Sequence, residues 1–268
     1  MVITGGMRMS NEYWANRMAN AQNKISKKSI KQIEKQMAKY YGIAAKHVIA
    51  EFEATYNQML AQAADGQQIT PANLYKLDKY WQMQAQMRKE LNTLGARQIA
   101  SLSKIFEINF FDVYYSIGIE GRNAFTTINS EGVKQLINQI WVADGKSWSQ
   151  RIWDNTELLA QTLNEELITC VAAGKKTSYL KKVLQDRFGV SYSRADALAR
   201  TEMAHIQTQA AQQRYKDYGL QEVEIWADPD ERTCEICGKL HKKTYPVGAQ
   251  VPIPAHPRCR CCIIPVVK

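Results

Sequence analysis

The sequence lacks any apolar run that approaches the ~18 residues needed to span a lipid bilayer. Its composition, with 45% hydrophobic and 23% charged residues, is instead ordinary for a soluble globular protein. The stretch before Ser10 also lacks the apolar core and the small-residue cleavage site of a signal peptide. We therefore expect neither membrane insertion nor secretion, and we place the chain in a cytoplasm.

Motifs of the common enzyme classes are absent as well. The sequence contains no Walker loop, no Gly-x-Ser-x-Gly elbow and no dinucleotide-binding fingerprint. The nearest enzymatic pattern is that of the nucleobase deaminases, in which His-x-Glu precedes Pro-Cys-x-x-Cys. Here the cysteine pair comes first, and no glutamate stands two residues after His256. The sequence therefore predicts a protein that is not an enzyme.

The length of the chain allows two domains, because 268 residues can bury a substantial core without disulfides or metal. We predict a mainly α protein in which a long helical N-terminal region is followed by a small α+β C-terminal unit stapled by zinc. The predicted domains are residues 1–125, a helical arm that binds partner chains, and residues 126–268. The zinc-binding end occupies about residues 220–268 of the second domain.

Helical periodicity dominates the first half of the chain. Apolar residues recur every three or four positions over residues 26–63, which marks one face of a long amphipathic helix. Thr70-Pro71 predicts the start of a second helix. Its expected apolar face comprises Leu74, Leu77, Trp81, Leu91 and Leu94. Gly95 is expected to bend or end this helix, and residues 96–115 are predicted to form a third.

Glycines punctuate the rest of the chain and predict where its helices end. Further helices are predicted over residues 130–141, 156–173, 178–188 and 193–218. The glycines expected to stop them are Gly174, Gly189 and Gly219. Turns or interruptions are predicted at residues 64–66, Gly118, Gly121 and residues 228–232.

Two strands are predicted after Gly219. Residues 223–226 alternate between apolar and polar positions, as a strand does. Residues 262–267 form the second strand, and Pro265 confines it to a sheet edge or a bulge.

Several conspicuous side chains are interpreted as parts of the core. Three tryptophans surround one short loop, and aromatic burial is the simplest interpretation for them. These are Trp141, Trp148 and Trp153. Cys170 lies alone on a helix face, and Cys262 begins a strand, so both are interpreted as buried thiols.

Five of the six cysteines lie in the last 35 residues, in two clusters. Cys234-Glu-Ile-Cys237 is followed, after eighteen residues, by His256-Pro-Arg-Cys259-Arg-Cys261-Cys262. A Cys-x2-Cys pair places two thiolates on one metal ion, and a second pair from a distant loop completes a tetrahedron. A structural zinc ion is the favoured interpretation. Disulfides or redox use, which are uncommon in a cytoplasm, and inert thiols are the alternatives.

The favoured ligands are Cys234, Cys237, His256 and Cys259, with Cys261 as the leading substitute. A set of four protein ligands leaves no open position for water, so the site is predicted to be structural rather than catalytic. His241 belongs to neither pair and is interpreted as a surface histidine.

Positive charge is concentrated at the C-terminus. Residues 232–268 contain seven basic residues and one acidic residue, so they contribute +6 of the net charge of +9. The candidate anion-binding or DNA-binding residues are Lys242, Lys243, Arg258 and Arg260. Metal-bound thiolates would offset part of this charge. No motif for reading bases is present, so any DNA contact would be non-specific and sensitive to salt.

A polar group is predicted on the helix that precedes the strands. Arg200, Thr201 and Glu202 are adjacent, and His205 follows one turn later. A buried glutamate beside an arginine could have a shifted pKa and act catalytically. The favoured interpretation is an ion pair that locks this helix to the zinc-binding end.

The motifs of the C-terminal third, taken together and in this order, resemble those of the Mu F-like phage head morphogenesis family. The matching motifs are Ala199-Arg-Thr-Glu202, Gly219, Trp226, Asp230-Glu-Arg-Thr-Cys234-Glu-Ile-Cys237 and Pro254-Ala-His-Pro-Arg-Cys-Arg-Cys261. The resemblance covers about residues 179–267.

The resemblance implies a minor head protein that is incorporated into the virion through contact with the portal protein. It would assist capsid assembly or DNA delivery, with portal and capsid proteins as partners, no membrane contact and non-specific DNA binding as a further possibility. Its expected location is the phage head, and the host cytoplasm during assembly. The alternative function is a zinc-containing, non-specific DNA-binding module without a structural role in the virion.

Overall fold

The computed structural model describes residues 11–64, 70–119, 128–227 and 233–266. The elements within these ranges are α1 (Asn11–Ala64), α2 (Pro71–Leu74), α3 (Asp78–Ser116), α4 (Ser130–Ile137), α5 (Trp148–Ala172), α6 (Thr177–Asp217), β1 (Glu222–Trp226), α7 (Glu235–Leu240), β2 (Thr244–Pro246) and β3 (Cys262–Pro265). The mainly helical architecture with a small C-terminal sheet is confirmed. None of the described helices is both long enough and apolar enough to cross a membrane.

Some predictions fall outside the described residues and stay predictions. They concern the turns at residues 65–66 and 228–232, Gly121, Val267, and the domain boundary between residues 125 and 126.

The amphipathic face predicted for α1 is buried. The buried residues of this face are Ile33, Met37, Tyr41, Ala44, Val48, Phe52, Thr55 and Met59. The helix begins at Asn11 rather than near residue 26, so the predicted start was wrong. The added turns bury Met18 and Gln22 in a segment that is too polar to show a helical apolar face in the sequence.

Two glycines that were predicted to bend or end helices lie inside continuous helices instead. Gly95 is within α3 and Gly189 is within α6. Buried Leu94 and Phe188 directly precede the two glycines, and the packing of their helices outweighs the cost of about 1 kcal/mol for an interior glycine. At Gly95 an added Cβ would lie 2.5 Å from Cζ3 of Trp153. This glycine therefore permits close approach of the indole ring.

Helix ends are predicted correctly where a local cap determines them. Gly174 and Gly219 follow α5 and α6 with φ of 55° and 68°, a backbone conformation that favours glycine. Thr70 caps α2, and its Oγ1 accepts a hydrogen bond from the Asn73 N–H at 3.2 Å. The second helix is nevertheless interrupted, because α2 ends at Leu74 and α3 begins at Asp78.

The C-terminal end of α4 and the N-terminal end of α5 differ from the prediction. α4 ends at Ile137 instead of residue 141, and α5 begins at Trp148 instead of residue 156. A capping box fixes the start of α5. Ser147 Oγ accepts a hydrogen bond from the Gln150 N–H at 3.3 Å, and Gln150 Oε1 accepts one from the Ser147 N–H at 2.8 Å.

The core prediction holds for one of the three tryptophans in full. Trp148 is buried and Trp141 is half-buried, whereas Trp153 is 40% exposed because its ring lies over Gly95 near the surface. Trp81 is also exposed, although it was predicted on an apolar helix face. Its ring packs against Tyr75 and Tyr80, and its indole N–H donates to the Tyr75 carbonyl at 2.9 Å.

The chain packs as two compact units, each assembled from separate stretches. One unit contains the residues up to Ile33, Ser103–Trp141 and Ala197–Lys268, and it includes the sheet and every candidate site residue. The other contains Glu34–Leu102 and Val142–Asp196. In that unit, the Tyr41 hydroxyl donates to the Ser191 carbonyl at 3.2 Å.

The C-terminal sheet is antiparallel, with strand order β2-β1-β3. The predictions of β1 and of an edge strand that contains Pro265 are both confirmed. β1 is the central strand, and its Val223 and Ile225 are fully buried. β2 was not predicted, because three residues are too few to show a period.

The close contact at Gly95 gives a test with a matched control. Gly95→Ala should lower the free energy of unfolding by about 1–3 kcal/mol, because the new methyl group collides with Trp153. Gly189→Ala should instead raise it by about 0.5–1 kcal/mol, since nothing lies within 4 Å of a Cβ there. Urea denaturation measures both. In a Trp153→Ala background the Gly95→Ala effect should change sign, and persistence of the loss there would contradict this explanation.

Candidate metal centre

The register of β1 and β3 brings the two cysteine clusters to one end of the sheet. Trp226, the last residue of β1, pairs with Cys262, the first residue of β3. The chain that leaves β1 toward Cys234 and the chain that enters β3 from Cys259 are therefore neighbours. Strand pairing thus explains how clusters that are distant in the sequence meet.

The first cysteine pair is held by a short helix rather than by the simple turn that its spacing predicts. Cys234 is the N-cap of α7, and its Sγ accepts a hydrogen bond from the Cys237 N–H at 3.4 Å. This geometry directs both thiols to the same side of the helix start. Cys237 is buried, and Cys234 is half-buried.

The thiols and the imidazole form two overlapping groups. Within each group, all ligand atoms lie within 4.8 Å of one another. Cys234, Cys237 and His256 form one group, and Cys237, Cys259 and Cys261 form the other. Cys237 Sγ lies 3.2 Å from His256 Nε2 and 3.7 Å from Cys259 Sγ. A tetrahedron with metal–sulfur bonds of about 2.3 Å has sulfur–sulfur edges of about 3.8 Å. The Cys237–Cys259 distance therefore suits two ligands of one metal ion.

The protonation of the thiols also suits a cation site. A hydrogen bond from the Cys261 thiol lowers the pKa of Cys259 to about 5. Burial raises the pKa of Cys237 to about 12, and the hydrogen bond to Cys259 raises the pKa of Cys261. Cys237 and Cys261 therefore need a nearby positive charge to become thiolates, which a divalent metal ion supplies. The described cluster could hold such an ion.

Cys170 and Cys262 are buried as predicted, whereas His241 is less exposed than predicted. Neither cysteine belongs to the two ligand groups. His241 is half-buried rather than a simple surface residue. Its ring meets that of Trp226 edge-on with centroids 4.6 Å apart, and its Nδ1 accepts a hydrogen bond from the Ala227 N–H at 3.2 Å.

Side chains of α6 hold the backbone of the loops that carry the cluster. Thr201 Oγ1 accepts a hydrogen bond from the Arg258 N–H at 3.1 Å. Gln212 accepts one from the Gly248 N–H at 2.7 Å and donates one to the Ala249 carbonyl at 3.1 Å. Hydrogen bonds of Thr201 and Gln212 thus link this helix to the cysteine-rich end.

The partners of Glu202 and His205 were missed in the sequence. Glu202 is buried, and its Oε2 accepts a hydrogen bond from the Trp141 indole N–H at 2.8 Å. The His205 ring stacks on the same indole, with centroids 4.2 Å apart. Trp141 lies 61 residues before Glu202, and no local pattern connects them. The proposed ion pair between Arg200 and Glu202 stays a prediction.

The four basic candidate residues are all exposed, but they lie on different loops. Lys242 and Lys243 follow α7, whereas Arg258 and Arg260 flank Cys259. Arg258 has a φ of 61°, an unusual conformation for a residue other than glycine, in the same loop that Thr201 holds. Arg258 and Arg260 also line a cavity, which Lys242 and Lys243 do not.

Comparisons with known proteins match this part of the chain to a family. Residues 161–264 match the model of the family described as Phage Mu protein F like protein, and this confirms the predicted resemblance over those residues. The curated NAD(+)--arginine ADP-ribosyltransferase EFV of Enterococcus faecalis is 26% identical over 185 residues, which cover 62% of this chain and 38% of that protein. The chain thus spans less than two thirds of this relative. No solved structure matches this chain.

His205 should make the stability of the fold depend on pH. Burial lowers the pKa of this histidine from 6.5 to about 4. Between these values the unfolded chain takes up a proton that the folded chain does not, so the free energy of unfolding falls as pH decreases from 6.5 toward 4. His205→Phe keeps a ring on Trp141 and removes this titration.

Urea denaturation of both proteins at a series of pH values measures this effect. Relative to His205→Phe, the unaltered protein should lose up to about 3 kcal/mol between pH 7 and pH 4. Other titrating groups are common to both proteins and cancel in the difference. A difference that does not vary with pH would show that His205 is not held in its neutral form.

Proposed function

We propose that this chain is a minor head protein of a phage virion that associates with the portal and capsid proteins. Its residues 161–264 match the Mu F-like family model, and this match carries the proposal. In this role the protein assists head morphogenesis or DNA delivery. It is present in the host cytoplasm during assembly and in the phage head afterwards.

The site supports a structural role rather than catalysis. The matched segment contains α6, β1, β2, most of β3 and all five candidate metal ligands. A metal ion with four protein ligands has no open position for substrate or for an activated water. Binding of such an ion links the loop after β1 to the loop before β3. It therefore fixes the shape of a surface that can contact other chains.

We infer that zinc is the metal ion and that Cys234, Cys237, His256 and Cys259 bind it. Cys234 and Cys237 share one group with His256, and Cys259 lies one tetrahedral edge from Cys237. Cys261 then remains a neighbour that donates a hydrogen bond to the Cys259 sulfur. When bound, zinc supplies cross-linking and no reaction step.

Replacing single cysteines tests the zinc site. The unaltered protein should bind one zinc ion per chain, and Cys237→Ser should lose it because Cys237 belongs to both ligand groups. Cys234→Ser should weaken zinc binding by at least about tenfold, whereas Cys261→Ser should bind zinc nearly as well as the unaltered protein. Zinc content by elemental analysis, and affinity by competition with a chromophoric chelator, measure these effects.

Cys262→Ala and Cys170→Ala are the matched controls, since both thiols are buried outside the ligand groups. Both variants should retain one zinc ion. Full retention in Cys237→Ser would refute the site. Loss from Cys261→Ser with retention in Cys234→Ser would instead assign the fourth ligand to Cys261.

The similarity to the ADP-ribosyltransferase is compatible with a protein that is not an enzyme. The matched residues make up 38% of that relative, so its larger part has no counterpart in this match. We infer that the two proteins share a structural segment and that the activity in the relative's name resides elsewhere in it.

Quantitative mass spectrometry of phage particles tests the virion role. Purified, nuclease-treated particles of the source phage and its empty precursor heads should both contain this chain, at a low and fixed copy number relative to the portal protein. Presence in empty heads alone would indicate an assembly factor that leaves before maturation. Absence from both preparations would refute the proposal of a minor head protein.

The alternative function, non-specific DNA binding without a virion role, is favoured by the exposed Lys242 and Lys243. The double variant Lys242→Gln/Lys243→Gln separates the two functions within the same experiment. A minor head protein that contacts its partners through these lysines should no longer enter particles as this variant. Normal particles together with a loss of DNA affinity would favour the alternative, and exclusion from particles would place the two lysines in the assembly interface.

A further inference from the structure

A cavity of about 480 Å³ lies beside the cysteine-rich loop, within the compact unit that contains the sheet. Three parts of the chain form its walls: the early turns of α1, the middle of α6, and the end of β1 with the loop that leads into β3. The volume is within the range of small-molecule sites in proteins. The cavity is therefore large enough for a group of nucleotide size.

Several basic side chains line the cavity, together with the Cys259 and Cys261 thiols of the cluster. Lys27, Arg200, Arg258 and Arg260 line it, and among the described lining residues there is no aspartate or glutamate. Lys27 and Arg200 come from two different helices, and the two arginines come from the loop. Cations that converge from separate elements attract an anion into the space between them.

Gln22 provides an independent sign of a ligand. Its side chain is 6% exposed and lines the cavity. Its Nε2 donor has no hydrogen-bond acceptor among the described residues. In contrast, Ser26 of α1 and Gln207 of α6, which also line the cavity, satisfy each other through hydrogen bonds of 2.9 and 2.8 Å. A buried amide donor without an acceptor is costly, and an oxygen of a bound anion would satisfy it.

We propose that this cavity binds a phosphate group. A phosphate presents several acceptor oxygens and up to two negative charges, so it can engage more than one cation and the Gln22 amide together. A carboxylate has two oxygens and a single charge, and one arginine is enough to bind it. The phosphate can belong to a free ion, to a nucleotide or to a nucleic acid strand. Cys259 and Cys261 of the candidate metal centre also line the cavity, so the two sites are neighbours. The phosphate site does not depend on the proposed virion role.

Isothermal titration of the full zinc-loaded chain with inorganic phosphate, pyrophosphate and a short oligothymidylate tests the site. At least one of these should bind with one-to-one stoichiometry. Lys27→Gln and Gln22→Met should each weaken this binding by about tenfold, because each removes a donor that the anion uses. Lys31→Gln is the control, since Lys31 is exposed on the same helix and does not line the cavity.

Gln22→Met also separates binding from folding. It replaces a buried amide with an apolar side chain of similar length, so its melting temperature should equal or exceed that of the unaltered protein while phosphate binding falls. Competition distinguishes the sources of the phosphate. Displacement of the oligonucleotide by inorganic phosphate would show that the site accepts the free ion, and binding of the oligonucleotide alone would assign it to a strand.

Three outcomes would overturn the proposal. The first is that Lys31→Gln weakens binding as much as Lys27→Gln does, which indicates general charge attraction. The second is that Gln22→Met and Lys27→Gln both bind as well as the unaltered protein. The third is that polyglutamate binds in the cavity more tightly than the phosphate-bearing ligands, which would identify a site for acidic peptides.

Discussion

The antiparallel pairing of β1 with β3 is the constraint on which the C-terminal part of the molecule depends. Because Trp226 lies opposite Cys262, the chain leaving β1 and the chain entering β3 meet at one end of the sheet. Cys237 and Cys259, which are 22 residues apart in the sequence, come within 3.7 Å in this way. A slip of β3 by one residue would turn each of its side chains to the opposite face. The Cys261 thiol would then leave the cluster for the core, and the Cys262 thiol would leave the core for the cluster.

Side chains in the middle and at the end of α6 bind backbone groups that the short sheet does not pair. Loops of irregular structure have backbone groups that a strand or helix would have paired, and each unpaired group is costly when buried. Here Thr201 and Gln212 accept hydrogen bonds from loop N–H groups, and the Tyr215 hydroxyl donates to the Ile263 carbonyl at 3.2 Å. These polar side chains are therefore retained on a helix that is largely buried. The matched family segment contains this helix together with β1 and β2.

Features that a few neighbouring residues determine could be predicted from the sequence. The buried face of α1 follows from its period, the end of α6 follows from Gly219, and the cluster follows from the spacing of its cysteines and histidine. Features determined by distant residues could not. Gly95 stays helical because α3 packs along its whole length and Trp153 occupies the space beside it. The partner of Glu202 is Trp141, and the cavity assembles residues from α1, α6 and the last loop. No local pattern records any of these contacts.

The cysteine cluster and the cavity share one loop. The cavity depends on the cluster more than the cluster depends on the cavity. Arg258, Cys259 and Arg260 all line the cavity, and Cys259 also belongs to a ligand group. A metal ion that fixes Cys259 therefore also fixes the two arginines, one of which has the strained φ of 61°. The cavity walls supplied by α1 and α6, by contrast, hold Lys27 and Arg200 on helices that need no metal. Loss of the ion should therefore disorder Arg258 and Arg260, which are two of the four cations. An empty cavity, by contrast, leaves all the candidate metal-ligand atoms in place. A metal ion bound at the cluster would therefore support the proposed anion site, and the reverse does not hold.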